Sequence, residues 1–167
     1  MNLKVIWKST SLNINHKVVG ETTQRDTSCI ELDIVMKILD NHEINVLEFI
    51  SFKPKEIVES PGVYFLIYPN INPQRFGGKD KDGILYIGKS NNLKRRISNL
   101  RRGIINRNNE YHSVSKNYIK IFCEDKFNDL KVGYIVSDKN NYTKLESEFL
   151  ELYFKKYKDL PVINFKK

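Results

Sequence analysis

The sequence predicts an α/β (α+β) fold in which a small three-stranded sheet, antiparallel or mixed, is flanked by helices. Three observations predict this class: two neighbouring runs rich in Val, Tyr, Phe and Ile, a helix-spaced apolar stripe after them, and a last strand followed by a last helix. With 167 residues, 40% of them apolar, the chain is long enough to bury one core.

The chain is predicted to divide near residue 53 into an N-terminal extension, 1–52, and a main domain, 53–167. Residues 1–52 hold 5 Lys/Arg against 7 Asp/Glu, whereas residues 53–167 hold 23 against 13. The basic excess of the main domain indicates a polyanionic partner. In the extension, a strand is predicted over Leu3–Trp7, a helix over Ile30–Leu39, and either of the two over Val46–Phe52.

The main domain is predicted to begin with a β-hairpin that has a long turn. Its strands are Gly62–Tyr68 and Ile84–Gly88, and the polar loop Asn70–Gly83 joins them. A helix then begins near Asn91 or Asn92, either of which can cap it. The apolar stripe of this helix consists of Leu93, Ile97, Leu100 and Ile104.

Three further elements complete the predicted order β-β-α-α-β-α. They are a helix over His112–Cys123, a strand over Lys131–Val136 and a helix over Tyr142–Tyr157. In the last helix, the inward-facing positions are Leu145, Phe149 and Leu152.

Cysteine usage and hydropathy indicate a cytoplasmic protein with no membrane partner. The two cysteines, Cys29 and Cys123, form no CxxC pair, so two buried free thiols are favoured over a zinc site. Met1–Asn13 has no sustained apolar stretch that would indicate a secretory signal. The longest apolar run, Val63–Tyr68, is too short to span a bilayer.

The segment Lys89–Arg107 contains seven Lys/Arg and no acidic residue. On a helix, Arg95 and Arg102 would face solvent, whereas Arg96 and Arg101 would flank the apolar stripe. A flanking arginine can present its guanidinium fork to a phosphate, but a solvated basic face explains the same pattern equally well.

Tyrosines and glutamates at four further positions could carry chemistry. Tyr64 and Tyr86 lie on the two strands of the predicted hairpin, where ordinary cross-strand packing is the simpler interpretation. Glu146 and Glu148 flank the apolar stripe of the last helix on opposite sides, so helix geometry cannot choose between them.

Two segments of the main domain resemble the signature of the GIY-YIG nuclease family. They are Pro61-Gly62-Val63-Tyr64 and the run Leu85–Ile97, which reads LYIGKSNNLKRRI. The family's arginine, ten residues after the second tyrosine, corresponds to Arg96. Its glutamate, early in a late helix, corresponds to Glu146, and its terminal asparagine to Asn164. The resemblance covers residues 58–165.

The resemblance implies an endonuclease that hydrolyses DNA with Mg²⁺ or Mn²⁺ bound at Glu146. Arg96 would hold the scissile phosphate, and Tyr64 or Tyr86 would be the general base, with its pKa lowered by nearby Lys89 and Arg96. Asn164 would brace the site. The long hairpin turn and Leu100 depart from the family pattern, because the family often carries Tyr or His at the position of Leu100. Tyr111 or His112 could supply that group, and a surface role for both fits equally well.

Phosphate contacts would supply most of the affinity for double-stranded DNA. The residues expected to make them are Lys94, Arg95, Arg101, Arg102 and Arg107, with Arg75, Lys79 and Lys81 of the hairpin loop. Residues 1–52 are a candidate element for DNA contact or for formation of a homodimer. A restriction-type, phage or mobile-element enzyme is favoured over a repair subunit; a non-catalytic nucleic-acid-binding module and an RNA-directed nuclease are the alternatives.

Overall fold

A four-stranded antiparallel sheet organises the part of the chain that the computed structural model of the protein describes, namely His42 and residues 44–69, 71–108, 112–122 and 128–165. The predicted strand and helix of the extension lie outside these ranges, as do Tyr111 and both cysteines. The strands are β1 (Asn45–Glu48), β2 (Gly62–Ile67), β3 (Gln74–Arg75), β4 (Gly78–Lys79), β5 (Ile84–Ser90) and β6 (Lys131–Val136). The helices are α1 (Leu93–Ile105), α2 (Ser113–Ile121) and α3 (Tyr142–Tyr157).

The sheet confirms the α/β class but has four strands instead of the predicted three. Its strand order is β1-β6-β2-β5, with every neighbouring pair antiparallel. The fourth strand is β1, which pairs with β6 and places Phe49 and Phe52 in the core. Asn45–Phe52, assigned to the extension by the sequence interpretation, thus belong to the compact unit that begins at Ile44.

Helices cover both faces of the sheet. Because successive side chains of a strand point to opposite faces, a single strand contributes side chains to both layers. Tyr64 and Leu66 of β2 join the core formed with the apolar stripe of α1, whose four residues are fully buried as predicted. Phe65 points the other way, and its ring meets that of Phe149 on α3 edge-on, with 5.1 Å between centroids. The central strand β2 therefore connects two packed layers.

Local sequence explains the ends and the buried faces of the helices. Asn92, not Asn91, caps α1, because its Oδ1 accepts a hydrogen bond of 2.9 Å from the backbone N–H of Arg95. In α3, Leu145 and Phe149 are buried as predicted, but Tyr153 takes the third inward position and Leu152 is only half-buried. Of the helices in the described ranges, none combines the length and the apolar character that spanning a bilayer requires.

Candidate active site

The hydroxyl of Tyr64 is the centre of a buried hydrogen-bonded cluster. Tyr64 lies on β2 and is 0% exposed. Arg96 on α1 donates from Nε to the Tyr64 hydroxyl at 3.2 Å, and Nε2 of His112 lies at the same distance from it. The fold therefore brings Tyr64 together with Arg96 and His112, which follow it in the sequence by 32 and 48 positions.

The ring of His112 has a defined proton arrangement. Its Nδ1 accepts a hydrogen bond of 3.1 Å from the backbone N–H of Val114, so in the neutral ring the proton lies on Nε2. Nε2–H then donates to the Tyr64 oxygen, whose second lone pair accepts from Arg96. With both lone pairs used, the remaining interaction of the Tyr64 hydroxyl is to donate its own proton.

The neighbouring phenol, Tyr86, is in position to accept that proton. The rings of Tyr64 and Tyr86 lie 5.7 Å apart, and the hydrogen bond from Tyr64 acts to lower the pKa of Tyr86. Tyr86 is half-buried and Tyr64 is fully buried, so of the two tyrosines only Tyr86 has solvent exposure. The cluster thus runs from His112 and Arg96 through Tyr64 to Tyr86 at the surface.

Gly88 gives the ring of Tyr86 the space that it occupies. The two residues share one face of β5, and a Cβ at position 88 would lie 2.4 Å from Cε1 and 2.6 Å from the hydroxyl oxygen of Tyr86. Gly88 is also the cross-strand partner of Tyr64. A side chain at this position would displace the ring of Tyr86.

Lys89 and Glu146 form an ion pair on the opposite face of β5. Lys89 Nζ lies 2.8 Å from Glu146 Oε2, and the Glu146 side chain is 16% exposed. The carboxylate is close enough to Tyr86 to act to raise the pKa of that phenol. Glu148, in contrast, is 45% exposed and pairs with Lys144. The structure therefore distinguishes the two glutamates that helix geometry leaves equivalent.

Asn164 closes the free edge of the sheet next to the cluster. Its Oδ1 accepts from the backbone N–H of Ile87 at 2.9 Å, and its Nδ2 donates to the Ile87 carbonyl at 2.8 Å. Because β5 is an edge strand, these groups lack a partner strand. The side chain of Asn164 thereby holds the backbone between Tyr86 and Gly88.

The expected lowering of the tyrosine pKa is wrong. Burial raises the pKa of Tyr64 and of Tyr86 above the usual value, and this outweighs the opposing effect of the Arg96 guanidinium. Lys89 does not supply the expected help, because its ammonium is paired with Glu146. At neutral pH both phenols are protonated.

Burial, followed by the charge of Arg96, lowers the pKa of His112 to about 3. An unfolded histidine titrates near 6.5, so between these values the unfolded chain binds more protons and stability is lost as the pH falls. We expect the free energy of unfolding to fall, between pH 7 and 5, by up to about 2 kcal/mol more for wild type than for His112→Asn, which retains a capping side chain. Urea unfolding at the two pH values measures the difference; equal losses would contradict it.

The basic residues predicted to contact DNA fall into two groups. Arg95, Arg102, Arg107 and Lys79 are exposed. Lys81 is exposed as well. Lys94, Arg75 and Arg101 are half-buried and engage partners within the protein. Lys94 pairs with Glu59 at 2.8 Å, and Arg75 pairs with Asp159 at 3.2 Å. Arg101 donates to the carbonyls of Phe49 and Ile50 and lies over the Phe52 ring, so it holds the segment after β1 against α1.

Glu146 fits a hard divalent cation because it offers a carboxylate oxygen as a ligand. Mg²⁺ is commonly held by one or two carboxylates, with water and substrate phosphate completing its shell, and Glu146 offers one carboxylate near Tyr86. No cluster of three or more His, Cys, Asp or Glu side chains occurs in the part of the chain that the structure describes. Such a cation would therefore depend on the substrate for further oxygen ligands.

In comparisons with protein-family models, curated proteins and solved structures, no match to the chain was found. The similarity to the GIY-YIG signature consequently stays a prediction from the motifs.

Proposed function

We propose that this protein is a divalent-metal-dependent endonuclease that hydrolyses phosphodiester bonds of DNA. The observation that carries the proposal is the chain of contacts from Arg96 and His112 through Tyr64 to the partly exposed Tyr86, with the Glu146 carboxylate close enough to act on the pKa of Tyr86. Ordinary strand packing does not require a phenol oxygen that accepts from two nitrogen donors and donates to a second phenol. A site that controls the position of one proton does require such an oxygen.

Tyr86 is the general base in this proposal, and Tyr64 positions it. The ionised Tyr86 takes a proton from water while the water oxygen bonds to phosphorus and the bond to the leaving oxygen breaks; solvent returns a proton to that oxygen. The hydrogen bond donated by Tyr64 stabilises ionised Tyr86, because a phenolate accepts more strongly than a phenol. Tyr64 is buried too deeply to contact water itself.

Arg96 stabilises the charge that builds up on the phosphate. Its Nε is fixed by the Tyr64 hydroxyl at 3.2 Å, and a hydrogen bond from the same guanidinium acts to lower the pKa of Tyr86. The remaining N–H groups of the fork would bind phosphate oxygens. Exposed Arg95 and Arg102 on the same helix supply phosphate contacts along the duplex. A preorganised donor of this kind contributes more than one that must be ordered during the reaction.

Glu146 would hold the divalent cation, Mg²⁺ or Mn²⁺. Such a cation, when bound, neutralises phosphate charge and lowers the pKa of bound water. Lys89, on the face of β5 opposite to Tyr86, neutralises the Glu146 carboxylate. Asn164 keeps the backbone between Tyr86 and Lys89 in register.

Leu100 no longer favours the alternative of a non-catalytic binding module. That alternative depended on the missing Tyr or His one turn after Arg96. Leu100 is fully buried in the core, and the imidazole comes instead from His112 at the start of α2, where it reaches the Tyr64 hydroxyl. This supports catalysis over binding alone.

The pH dependence of plasmid cleavage tests the proposal. With Mg²⁺ or Mn²⁺, supercoiled DNA should be converted to relaxed or linear product, and EDTA should abolish this. Because the pKa of Tyr86 lies above its usual value near 10, the ionised fraction should rise about tenfold per pH unit from pH 7 to 9, and the single-turnover rate with it.

Tyr86→Phe should lose both the rate and its pH slope. Tyr134→Phe is the matched control, since it removes a phenol oxygen on the same sheet face that donates to the Glu56 carbonyl and lies outside the cluster. Salt-sensitive DNA binding without cleavage, on plasmid and on genomic DNA, would overturn the proposal in favour of a binding module. Cleavage of RNA but not DNA would reassign the substrate.

A further inference from the structure

A small second hairpin, β3–β4, carries an unusually exposed aromatic side chain. Phe76 occupies its two-residue turn and is 90% exposed. Two more phenylalanines, Phe154 on α3 and Phe165 near the C-terminus, are 44% and 62% exposed. All three line one open depression, so the exposed aromatic surface is contiguous. Contiguous exposed apolar surface of this kind marks a binding site more often than an isolated apolar side chain does.

The hairpin is held rigidly against α3. Asp80 is fully buried, and its carboxylate accepts from the Tyr153 hydroxyl at 2.7 Å and from the backbone N–H groups of Asp82 and Gly83. The hydroxyl of Tyr157 and the ammonium of Lys156 both bind the Asp82 carboxylate. The sequence interpretation missed these two aspartates, although Asp-Lys-Asp-Gly is a turn pattern.

The turn itself approaches the helix so closely that it requires glycine. Gly77 donates its backbone N–H to the Tyr157 carbonyl at 2.6 Å, and a Cβ at position 77 would lie 2.7 Å from the Tyr157 carbonyl carbon. Phe76, one residue before, is thus fixed at the backbone while its ring projects outward. Presenting a ring from a rigid turn reduces the entropy lost on binding.

The charges around the depression favour a polyanion. The acidic residues Asp82 and Asp159 are neutralised by Lys156 and Arg75. Lys158 lines the depression, and Lys79 lies on the hairpin strand that follows the Phe76 turn. Both are exposed, and no ion pair engages either of them in the ranges that the structure describes. Aromatic rings next to free cations are the combination that single-stranded nucleic-acid sites use.

The depression shares one residue with the candidate active site. Asn164, which holds Ile87 beside Tyr86, also lines the depression that contains the three phenylalanines. We propose that Phe76, Phe154 and Phe165 form a stacking surface for unpaired bases, so that the substrate is duplex DNA locally unpaired beside the cleaved phosphate. This inference depends on the proposed nuclease function for its substrate, but its binding test does not depend on cleavage.

The test compares two DNA probes of the same length in EDTA at one salt concentration: a fully paired duplex, and the same duplex with a short central bubble. By fluorescence anisotropy, the protein should bind the bubble duplex about tenfold more tightly, as stacking of one or two bases implies. Phe76→Ala should lose this preference, and Phe76→Trp should keep it. Ile121→Ala, which removes an exposed apolar side chain on α2, should behave as wild type.

A direct readout follows the base itself. With 2-aminopurine in the bubble, wild type should quench the probe by stacking, whereas Phe76→Ala should not. Equal affinity for both duplexes, or a preference that survives in Phe76→Ala, would overturn the inference even if the plasmid is cleaved. A dimer that becomes a monomer in Phe76→Ala, with unchanged DNA preference, would also overturn it, because the patch would then bind a second copy. If the protein prefers the bubble duplex but cleaves no DNA, the stacking surface is supported and only the proposed nuclease function is refuted.

Discussion

Glu146→Gln is expected to reduce metal-dependent cleavage by on the order of 10³-fold while DNA binding stays at the wild-type level. The amide keeps the volume of the side chain and can still accept a hydrogen bond from Lys89, which lies 2.8 Å from the carboxylate in wild type. It lacks the anionic charge that a hard cation requires. The expected loss is therefore in the chemical step and not in folding. Single-turnover cleavage of plasmid with Mg²⁺ and with Mn²⁺ measures the effect.

Glu148→Gln is the matched control for this substitution. Glu148 lies two residues further along α3, is 45% exposed and pairs only loosely with Lys144, at 3.6 Å. An exposed i,i+4 ion pair of this kind contributes a few tenths of a kcal/mol. Glu148→Gln should therefore cleave like wild type. If the two variants lost activity equally, or if Glu146→Gln cleaved normally, Glu146 would not be the metal ligand.

Arg96→Lys is expected to lower the single-turnover rate by on the order of 10²- to 10³-fold, although the positive charge is kept. Lysine has no rigid fork, so it cannot hold the Tyr64 hydroxyl through one nitrogen and a phosphate oxygen through others. In wild type the Nε contact to Tyr64 is 3.2 Å. The proton arrangement that leads to Tyr86 should loosen together with the phosphate contact.

Arg95→Lys separates a geometric role from a purely electrostatic one. Arg95 precedes Arg96 on α1 but is exposed and turned away from the cluster. With its charge preserved, Arg95→Lys should keep the single-turnover rate at saturating protein. A rate for Arg96→Lys that also equals wild type would show that position 96 acts only through its charge. Salt dependence of binding, measured in parallel, should be the same for both variants because the net charge is unchanged.

Short-range features of the fold were predictable from the sequence. The apolar stripe of α1 follows from 3.6-residue periodicity, and the strands β2, β5 and β6 follow from runs of β-branched and aromatic residues. Each of these signals depends on residues within one or two helical turns or on direct neighbours along a strand. The fourth strand, β1, was ambiguous because Val46–Phe52 is a short apolar run, and only pairing with β6 selects the strand.

The candidate site was predictable as a set of residues but not as an arrangement. The motifs identified Tyr64, Tyr86, Arg96, Glu146 and Asn164. Their pattern could not show that Tyr64 is fully buried and that Tyr86 is the more exposed of the two phenols. That difference follows from strand order, since Tyr64 lies on a central strand and Tyr86 on an edge strand.

What the sequence by itself determined is the class of the fold, the order of its main elements and the residue types available for chemistry. The tertiary structure decided which side chains meet: His112 with Tyr64, Glu146 in preference to Glu148 beside Lys89, and Arg101 with a backbone segment instead of solvent. It also reversed the expected pKa shift of the tyrosines. The physical reason is common to all of these: desolvation and hydrogen bonding depend on partners tens of residues away, which neither periodicity nor motif spacing specifies.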